Sequence, residues 1–413
     1  MPESSAGCCK KVFIRRKMQK KLKMAVIGFG QRGYCFAEMI KKHPRAELTA
    51  ICEKSADRAE CFARELDITD IPSFDSVEEL IAKGDFEAAV ITLPDWLHHD
   101  CAIACCRAGR HIMLEKPMAP TAEECRDIIR SVQGNKCQLQ IGFVLRHHPV
   151  FRKVIEITRS GGLGQVLNIT STEHIGVTHG ASYMRRWHRK SANSGGFILA
   201  KCSHDIDIIS AVANSPAVKV ASFGSTDFFT PDKQKYQYCS LCPDENCRFR
   251  FKGEMVRMSE TEKAAPSAQA KPFDLCVYND DKDVVDHQVA LIDFANGVKA
   301  TFTLNLFAAV PKRTICVAGT EAILYADTAD EFITIHNSLT GETQKIDCKS
   351  ENASGHGGSD EAFLSDFIDS IIEDLPPKID FKAGLSSTVI GNAIEKARLT
   401  GSVVEIPPED YRW

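Results

Sequence analysis

The run Gly28-Phe29-Gly30-Gln31-Arg32-Gly33 follows directly on an apolar stretch and opens a helical pattern, and that placement constrains the fold more than any other feature of the chain. The G-x-G-x-x-G spacing is weak on its own because glycine is common. Between a strand and a helix, its glycines serve a tight turn, a close approach of backbone to a pyrophosphate, and close helix packing. The helix that starts there aims unpaired N–H groups and the positive end of its dipole at a phosphate. Gly28, Phe29, Gly30, Gln31, Arg32 and Gly33 are therefore candidate dinucleotide contacts. Glu53 ends the next apolar stretch about twenty residues after the last glycine, where a carboxylate accepts hydrogen bonds from the adenosine ribose. A 2'-phosphate would be repelled there, with Lys54 and Arg58 as partial compensation, so the expected cofactor is NAD(H) and not NADP(H).

From Lys23 onward short apolar runs alternate with helical patterns, as in a parallel sheet with crossover helices. Strands are expected at Met24 to Gly28, Glu47 to Cys52, Ala88 to Leu93, His111 to Leu114 and Gln138 to Phe143. Helices are expected at Gln31 to His43, Ala56 to Leu66, Asp100 to Ala108 and Thr121 to Ser131. The expected fold is α/β: a Rossmann doubly wound parallel sheet over residues 23–146, then an α+β domain with a large, mostly antiparallel open sheet over 147–413. In the second domain helices are expected at Pro149 to Ser160, Ser203 to Ala213 and Asp360 to Glu373. Strands are expected at Gln165 to His174, Phe273 to Asn279, His287 to Phe294, Val298 to Phe307, Arg313 to Ala318 and Phe332 to Ile335. Asn296-Gly297 marks a hairpin turn. Residues of about 225–272 read as an inserted loop, and residues 1–22 as a basic extension.

At 413 residues, 44% of them hydrophobic, the chain is long enough for two cores. No stretch approaches the roughly 20 apolar residues of a membrane helix, and no apolar secretory core precedes the first strand. A net charge of -4 gives no general attraction to nucleic acid. Seventeen cysteines, scattered as at Cys101, Cys105 and Cys106, read as reduced thiols, which places the protein in the cytoplasm. Cys239, Cys242 and Cys247 stand apart in the polar insert. Their first spacing fits a zinc knuckle, so a structural zinc is one reading and free loop thiols the other. A fourth ligand is missing nearby, Cys276 being the nearest later thiol.

Two segments place titratable groups where ligands bind: Glu115-Lys116-Pro117 at the end of an expected strand, and Lys201-Cys202-Ser203-His204-Asp205-Ile206-Asp207 at an expected helix start. Lys116 should lie near the nicotinamide, where desolvation and the ring's positive charge lower its pKa and let it exchange a proton with a hydroxyl. Tyr183 to Arg189 combines arginines with an aromatic plate, which suits a pyranose; Trp187 and Arg189 are the substrate candidates.

With these motifs in their order, the chain resembles the glucose-fructose oxidoreductase / inositol dehydrogenase (Gfo/Idh/MocA) family from Lys23 onward. The resemblance rests on the glycine turn, Leu93-Pro94-Asp95-Trp96-Leu97-His98, Glu115-Lys116-Pro117, Gly142-Phe143-Val144-Leu145-Arg146, and Gly195-Gly196 leading into His204 and Asp207. It implies that Leu93, Pro94, His98 and Glu115 border the cofactor, and that Arg146 and His204 meet substrate. It also implies that Lys116 contacts both cofactor and substrate, and that the Lys116–Pro117 bond is cis. Many members carry an aspartate four residues before the histidine; here Ala200 stands there with Lys201 beside it. Lys201 is then a candidate to bind substrate or to bias the ionisation of His204. The implied activity is NAD(H)-dependent oxidoreduction of a secondary hydroxyl on a sugar, sugar derivative or cyclitol, in a homodimer or homotetramer. The alternatives are an NAD-dependent glycoside hydrolase working by transient oxidation, and a non-enzymatic NAD-binding regulator.

Overall fold

The computed structural model describes residues 21–253, 258, 273–349 and 358–413. The basic extension as far as residue 20, and residues 254–257 and 259–272 of the inserted loop, lie outside them. The first half is built as β1 (Leu22–Ile27), α1 (Gln31–Lys42), β2 (Ala46–Cys52), α2 (Ala56–Leu66), β3 (Ser73–Phe74) and α3 (Val77–Lys83). It continues with β4 (Ala88–Ile91), α4 (His98–Arg107), β5 (His111–Leu114), α5 (Ala122–Asn135) and β6 (Leu139–Ile141). The six strands run parallel in the order β3-β2-β1-β4-β5-β6. Strand order reverses between β1 and β4, and open α/β sheets bind ligands in the crevice at that reversal. The strands are short and apolar because helices cover both faces: every residue of β4 is buried. A Thr121/Glu124 capping box starts α5, satisfying two N–H groups that would otherwise lack partners.

The second half contains α6 (Pro149–Arg159), β7 (Val166–Gly176), α7 (Val177–Arg185), α8 (Ser191–Ser194), α9 (Phe197–Ala213) and β8 (Ala217–Ser225). After the insert come β9 (His287–Phe294), β10 (Lys299–Ala308), β11 (Lys312–Gly319), β12 (Ala322–Asp327), β13 (Phe332–Asn337) and β14 (Thr343–Asp347). The described chain closes with α10 (Ser359–Ile372), α11 (Phe381–Thr400) and β15 (Val404–Glu405). The nine strands form one sheet, β14-β13-β12-β11-β7-β10-β9-β8-β15. Its β7–β10 pair is parallel and its other pairs are antiparallel. The β9–β10 hairpin turns at Asn296-Gly297, where Gly297 takes φ +92°. Alternation is regular along β9: Gln288, Ala290, Ile292 and Phe294 are buried while Val289 and Leu291 are exposed, so one sheet face is covered and the other open.

Three expectations are corrected. The helix expected from Ser203 begins at Phe197, because Gly195 and Gly196, at φ +69° and +94°, end the preceding turn and α9 follows at once. Lys201 and His204 therefore sit inside the helix. Phe273 to Asn279 is no strand: only Leu275 bridges, to Tyr238, and the chain then turns back through Asn279 N–H on the Cys276 carbonyl, 3.1 Å. Helix α11 has no counterpart among the expected elements. Its buried face carries Leu385, Val389, Ile390, Ile394 and Ala397 at helical spacing, interrupted by Gly384, Ser387, Thr388 and Gly391, which are buried too and dilute the apolar stripe. None of the described helices is long and apolar enough to cross a membrane.

Candidate active site

The glycine turn lies at the end of β1, on one side of the strand-order reversal. Gly28 adopts φ +87°, and a Cβ there would stand 3.0 Å from the Leu93 backbone nitrogen; one on Gly33 would stand 2.1 Å from the Gly28 carbonyl oxygen. A Cβ on Gly30 would meet nothing within 4 Å. The turn is thus tight toward the protein and open at Gly30, the side on which a pyrophosphate approaches. Helix α1 has no side-chain cap and no acidic residue in its first turn, so its leading N–H groups stay available to an anion. At the tip of β2 the Glu53 carboxylate accepts from Phe29 N–H and Ser55 N–H, both 2.9 Å, with Arg58 at 3.4 Å. These features fit a dinucleotide with free ribose hydroxyls.

Three of the expected cofactor contacts have other side-chain roles. Arg32 donates to Glu115 at 2.7 Å and to both oxygens of Asp360 at 3.0 and 2.9 Å, so its guanidinium joins the glycine turn to α10 and only its backbone faces the phosphate position. His98 is fully buried, one ring nitrogen 2.8 Å from the Pro117 carbonyl and the other 2.9 Å from that of Leu93. It braces the segment after β4 against the Lys116–Pro117 bond, which is cis. Phe29 is buried against Tyr34 and Phe62, so its contribution to a ligand is its backbone. Gln31 reaches toward Cys35.

Lys116 follows β5 at the mouth of the crevice. Its amine donates to the Ala200 carbonyl at 2.6 Å, one turn before His204 on α9. Burial pushes the Lys116 pKa below the usual lysine value; Asp95 and Glu115 oppose the shift, and Lys201 and Arg32 add to it. Asp95 is buried, one carboxylate oxygen has no hydrogen-bond partner, and desolvation raises its pKa despite Lys116. His204 lies edge-on to Phe143, centroids 6.0 Å apart.

Beneath His204 four charges alternate. The Lys201 amine is 3.2 Å from Glu173, and Arg313 Nε is 2.5 Å from Glu173 and 2.9 Å from Asp205. Burial lifts Asp205 to about 6 even so. Lys201, expected to meet substrate or His204, is thus committed to Glu173 on β7.

Above the lysine an aromatic wall joins the two halves of the chain. Trp187 stacks on His188 at 3.6 Å and meets Trp96 edge-on at 5.1 Å; Tyr183 packs on His188, His179 and Phe197. Burial, with Lys201, Arg313 and Lys116 adding, drives His179 down to about 2. His188 is likewise held well below the usual histidine range by burial, then by Arg186. Both rings are neutral at physiological pH.

The remaining expected residues separate. Arg146 gives its guanidinium to Asp207 in a two-pronged pair of 2.7 and 2.6 Å, because Asp207 is almost fully buried and requires a counter-charge. Arg189 pairs with Asp281 at 2.6 Å and donates to the Arg186 carbonyl, which turns it from the wall toward the loop before β9. The zinc reading of Cys239, Cys242 and Cys247 is not met: among the described residues no group of three or more His, Cys, Asp or Glu is arranged to hold a metal ion.

Asp95, His179, His188, Glu173 and Arg313 escaped sequence reading as site residues. Asp95 and His188 lay inside quoted motifs. Glu173 and Arg313 carry no local signal, since strands distant in sequence bring them to α9.

The model described as oxidoreductase family, NAD-binding Rossmann fold, matches residues 22–143, and its companion, oxidoreductase family, C-terminal alpha/beta domain, matches residues 156–406. The putative oxidoreductase YteT of Bacillus subtilis is 21% identical over 78% of this chain and 82% of its own length. An inositol 2-dehydrogenase of Corynebacterium glutamicum is 28% identical over 49% of this chain, and that alignment spans 57% of the relative. Among solved structures, a levoglucosan dehydrogenase in complex with NADH and levoglucosan superposes with a TM-score of 0.74 over 94% of this chain and all of its own, at 19% identity. A putative myo-inositol dehydrogenase from Sinorhizobium meliloti 1021 gives 0.67 over 94% of this chain and all of its own, at 18% identity. At such identities the structures establish the fold.

Proposed function

The chain belongs to the Gfo/Idh/MocA family of NAD-binding oxidoreductases, and from that premise we propose that it oxidises a secondary hydroxyl of a sugar, sugar derivative or cyclitol, reversibly, with NAD(H). The observation that carries the reading is the Lys116 amine held against α9 one turn before His204, beside the crevice that takes the cofactor. Bound NAD+ supplies the hydride acceptor. Lys116 and His204 would both meet the hydroxyl on the carbon that gives up the hydride: the desolvated amine takes the hydroxyl proton, and the imidazole holds its oxygen. Asp95 and Glu115 lie near enough to oppose the lowering of the lysine pKa, so they moderate the base. The neutral rings of His179 and His188 and the Trp96/Trp187 pair offer hydrogen bonds and an apolar plate to a ring with alternating C–H and O–H faces.

Glu53 supports NAD(H) as the preferred form. Glu53→Ala is expected to raise the KM for NAD+ by about tenfold, the worth of a hydrogen bond to a charged group, and to narrow the preference over NADP+. Steady-state kinetics with both cofactors tests this; an unchanged KM removes Glu53 from ribose recognition.

The open face of the nine-stranded sheet exposes Phe223 and Val289, which are cross-strand partners, together with Leu291. A second copy of the chain is the occupant we assign to it, in a dimer or tetramer. Val289→Lys with Leu291→Lys is expected to give a monomer by light scattering, and an unaltered mass would place the interface elsewhere. The cytoplasm is the proposed setting, on the reading that scattered thiols belong to a reducing compartment. Screening polyols, sugars and cyclitols with NAD+ tests the activity, and release of sugar from a glycoside without net NADH would favour the redox-neutral hydrolase.

A further inference from the structure

Four thiols that the proposed reaction leaves unused gather at the insert, three within it and Cys276 just after it. Cys239 and Cys242 bracket a short 3₁₀ turn closed by Cys242 N–H on the Cys239 carbonyl, 3.2 Å. Cys276 arrives from the opposite segment: around the Tyr238–Leu275 bridge, Cys239 N–H donates to Asp274 and Cys276 N–H to Gln237, 2.8 and 2.9 Å. With Cys247, all four line one cavity of about 350 Å³. Each is partly exposed, whereas Cys52, Cys101, Cys105, Cys106 and Cys125 of the first half are buried.

Arg185, the last residue of α7, lies behind Cys239. It is 3% exposed, donates to the Phe249 carbonyl, and places Nη1 3.9 Å from Cys239 Sγ. Its Nε has no partner, and among the described residues no carboxylate pairs with it. Asp274 on the same bridge accepts from Ser240 N–H at 3.1 Å instead. Asp274 favours the charged guanidinium from nearby without a hydrogen bond to it, and Nη1 is left directed at the Cys239 sulfur. A cation beside a half-exposed sulfur, with further thiols around the same cavity, is the setting of a reactive cysteine with a resolving partner.

We propose that this cavity is a peroxide-oxidisable site in which Cys239 is the attacking thiol and one of Cys242, Cys247 and Cys276 closes a disulfide on it. The deprotonated Cys239 sulfur attacks one oxygen of hydrogen peroxide as the O–O bond breaks. The other oxygen leaves as hydroxide and gains a proton, giving water and a sulfenic acid. A neighbouring thiolate then attacks that sulfur, the S–O bond breaks, and the hydroxyl departs as water once protonated. Two thiols lose two electrons and one peroxide becomes two waters.

The test treats the full-length protein with stoichiometric hydrogen peroxide, alkylates the remaining thiols, and maps peptides by mass spectrometry over time. Cys239 is expected to react about tenfold faster than Cys35 and Cys316, which are also partly exposed, and to appear in a disulfide with one of the other three. Cys239→Ser is expected to abolish that disulfide while leaving turnover of the reduced protein unchanged. Arg185→Gln, checked for native circular dichroism, is expected to slow Cys239 about tenfold. If that variant does not fold, the Cys239 rate relative to Cys35 and Cys316 in the unaltered protein decides alone. Cys239 reacting no faster than those two, a disulfide that forms without Cys239, or stoichiometric zinc that shields all four thiols would overturn the proposal.

Discussion

Lys116→Met is expected to lower kcat for hydroxyl oxidation by about 10²–10⁴-fold, the usual worth of a positioned acid–base group, while NAD+ still binds. The amine lies at the end of β5 and is held against α9 through the Ala200 carbonyl. The glycine turn and Glu53, which we assign to the cofactor, follow other strands, β1 and β2. Methionine keeps the length of the stem and removes the amine, so packing of the crevice survives. The sign of the pH dependence follows from the shift. Oxidation needs the neutral amine, and burial lowers the lysine pKa. The rate should therefore rise with pH through an ionisation below the ordinary lysine value and level off above it. Lys116→Arg, always charged, should show neither the activity nor the rise. A methionine variant with near-native kcat, or an unchanged pH profile, would remove Lys116 from the chemistry.

Asp207→Ala carries the second large effect, on stability. Asp207 is on α9 with its side chain 1% exposed, and both its oxygens take a hydrogen bond from Arg146. Removing one partner of a buried ion pair leaves an uncompensated charge and costs about 3–5 kcal/mol. Removing both, in Arg146→Met with Asp207→Leu, should recover most of that loss, because well-packed apolar residues replace such pairs at little cost. Denaturant midpoints of Arg146→Met, Asp207→Leu and the double variant measure the coupling directly. Were the single variant as stable as the parent, Arg146 would be free for substrate and its reassignment here would be wrong.

The first half was legible because its signals are local. Strand β5 and helix α2 fall where the pattern places them, and the glycines declare their turn by spacing. The start of α9 was misread because Lys201, His204, Asp205 and Asp207 are buried polar residues in a helix covered almost all round. Their polarity imitates a solvent-facing helix start. What they partner is written elsewhere in the chain: Glu173 on β7, Arg313 on β11 and Arg146 after β6. The same distance hid the fate of Arg189, whose partner Asp281 lies beyond the insert. The motif Lys201-x-x-His204-Asp205 was visible, but the partner of its lysine was not.

The central claim is tested most directly by following absorbance of reduced nicotinamide in one preparation carried through sugars, cyclitols and uronates with NAD+, beside Lys116→Met protein. The account predicts a substrate-dependent rise that the variant loses while retaining cofactor binding. No rise with any such hydroxyl compound, or a rise undiminished in the variant, would contradict it.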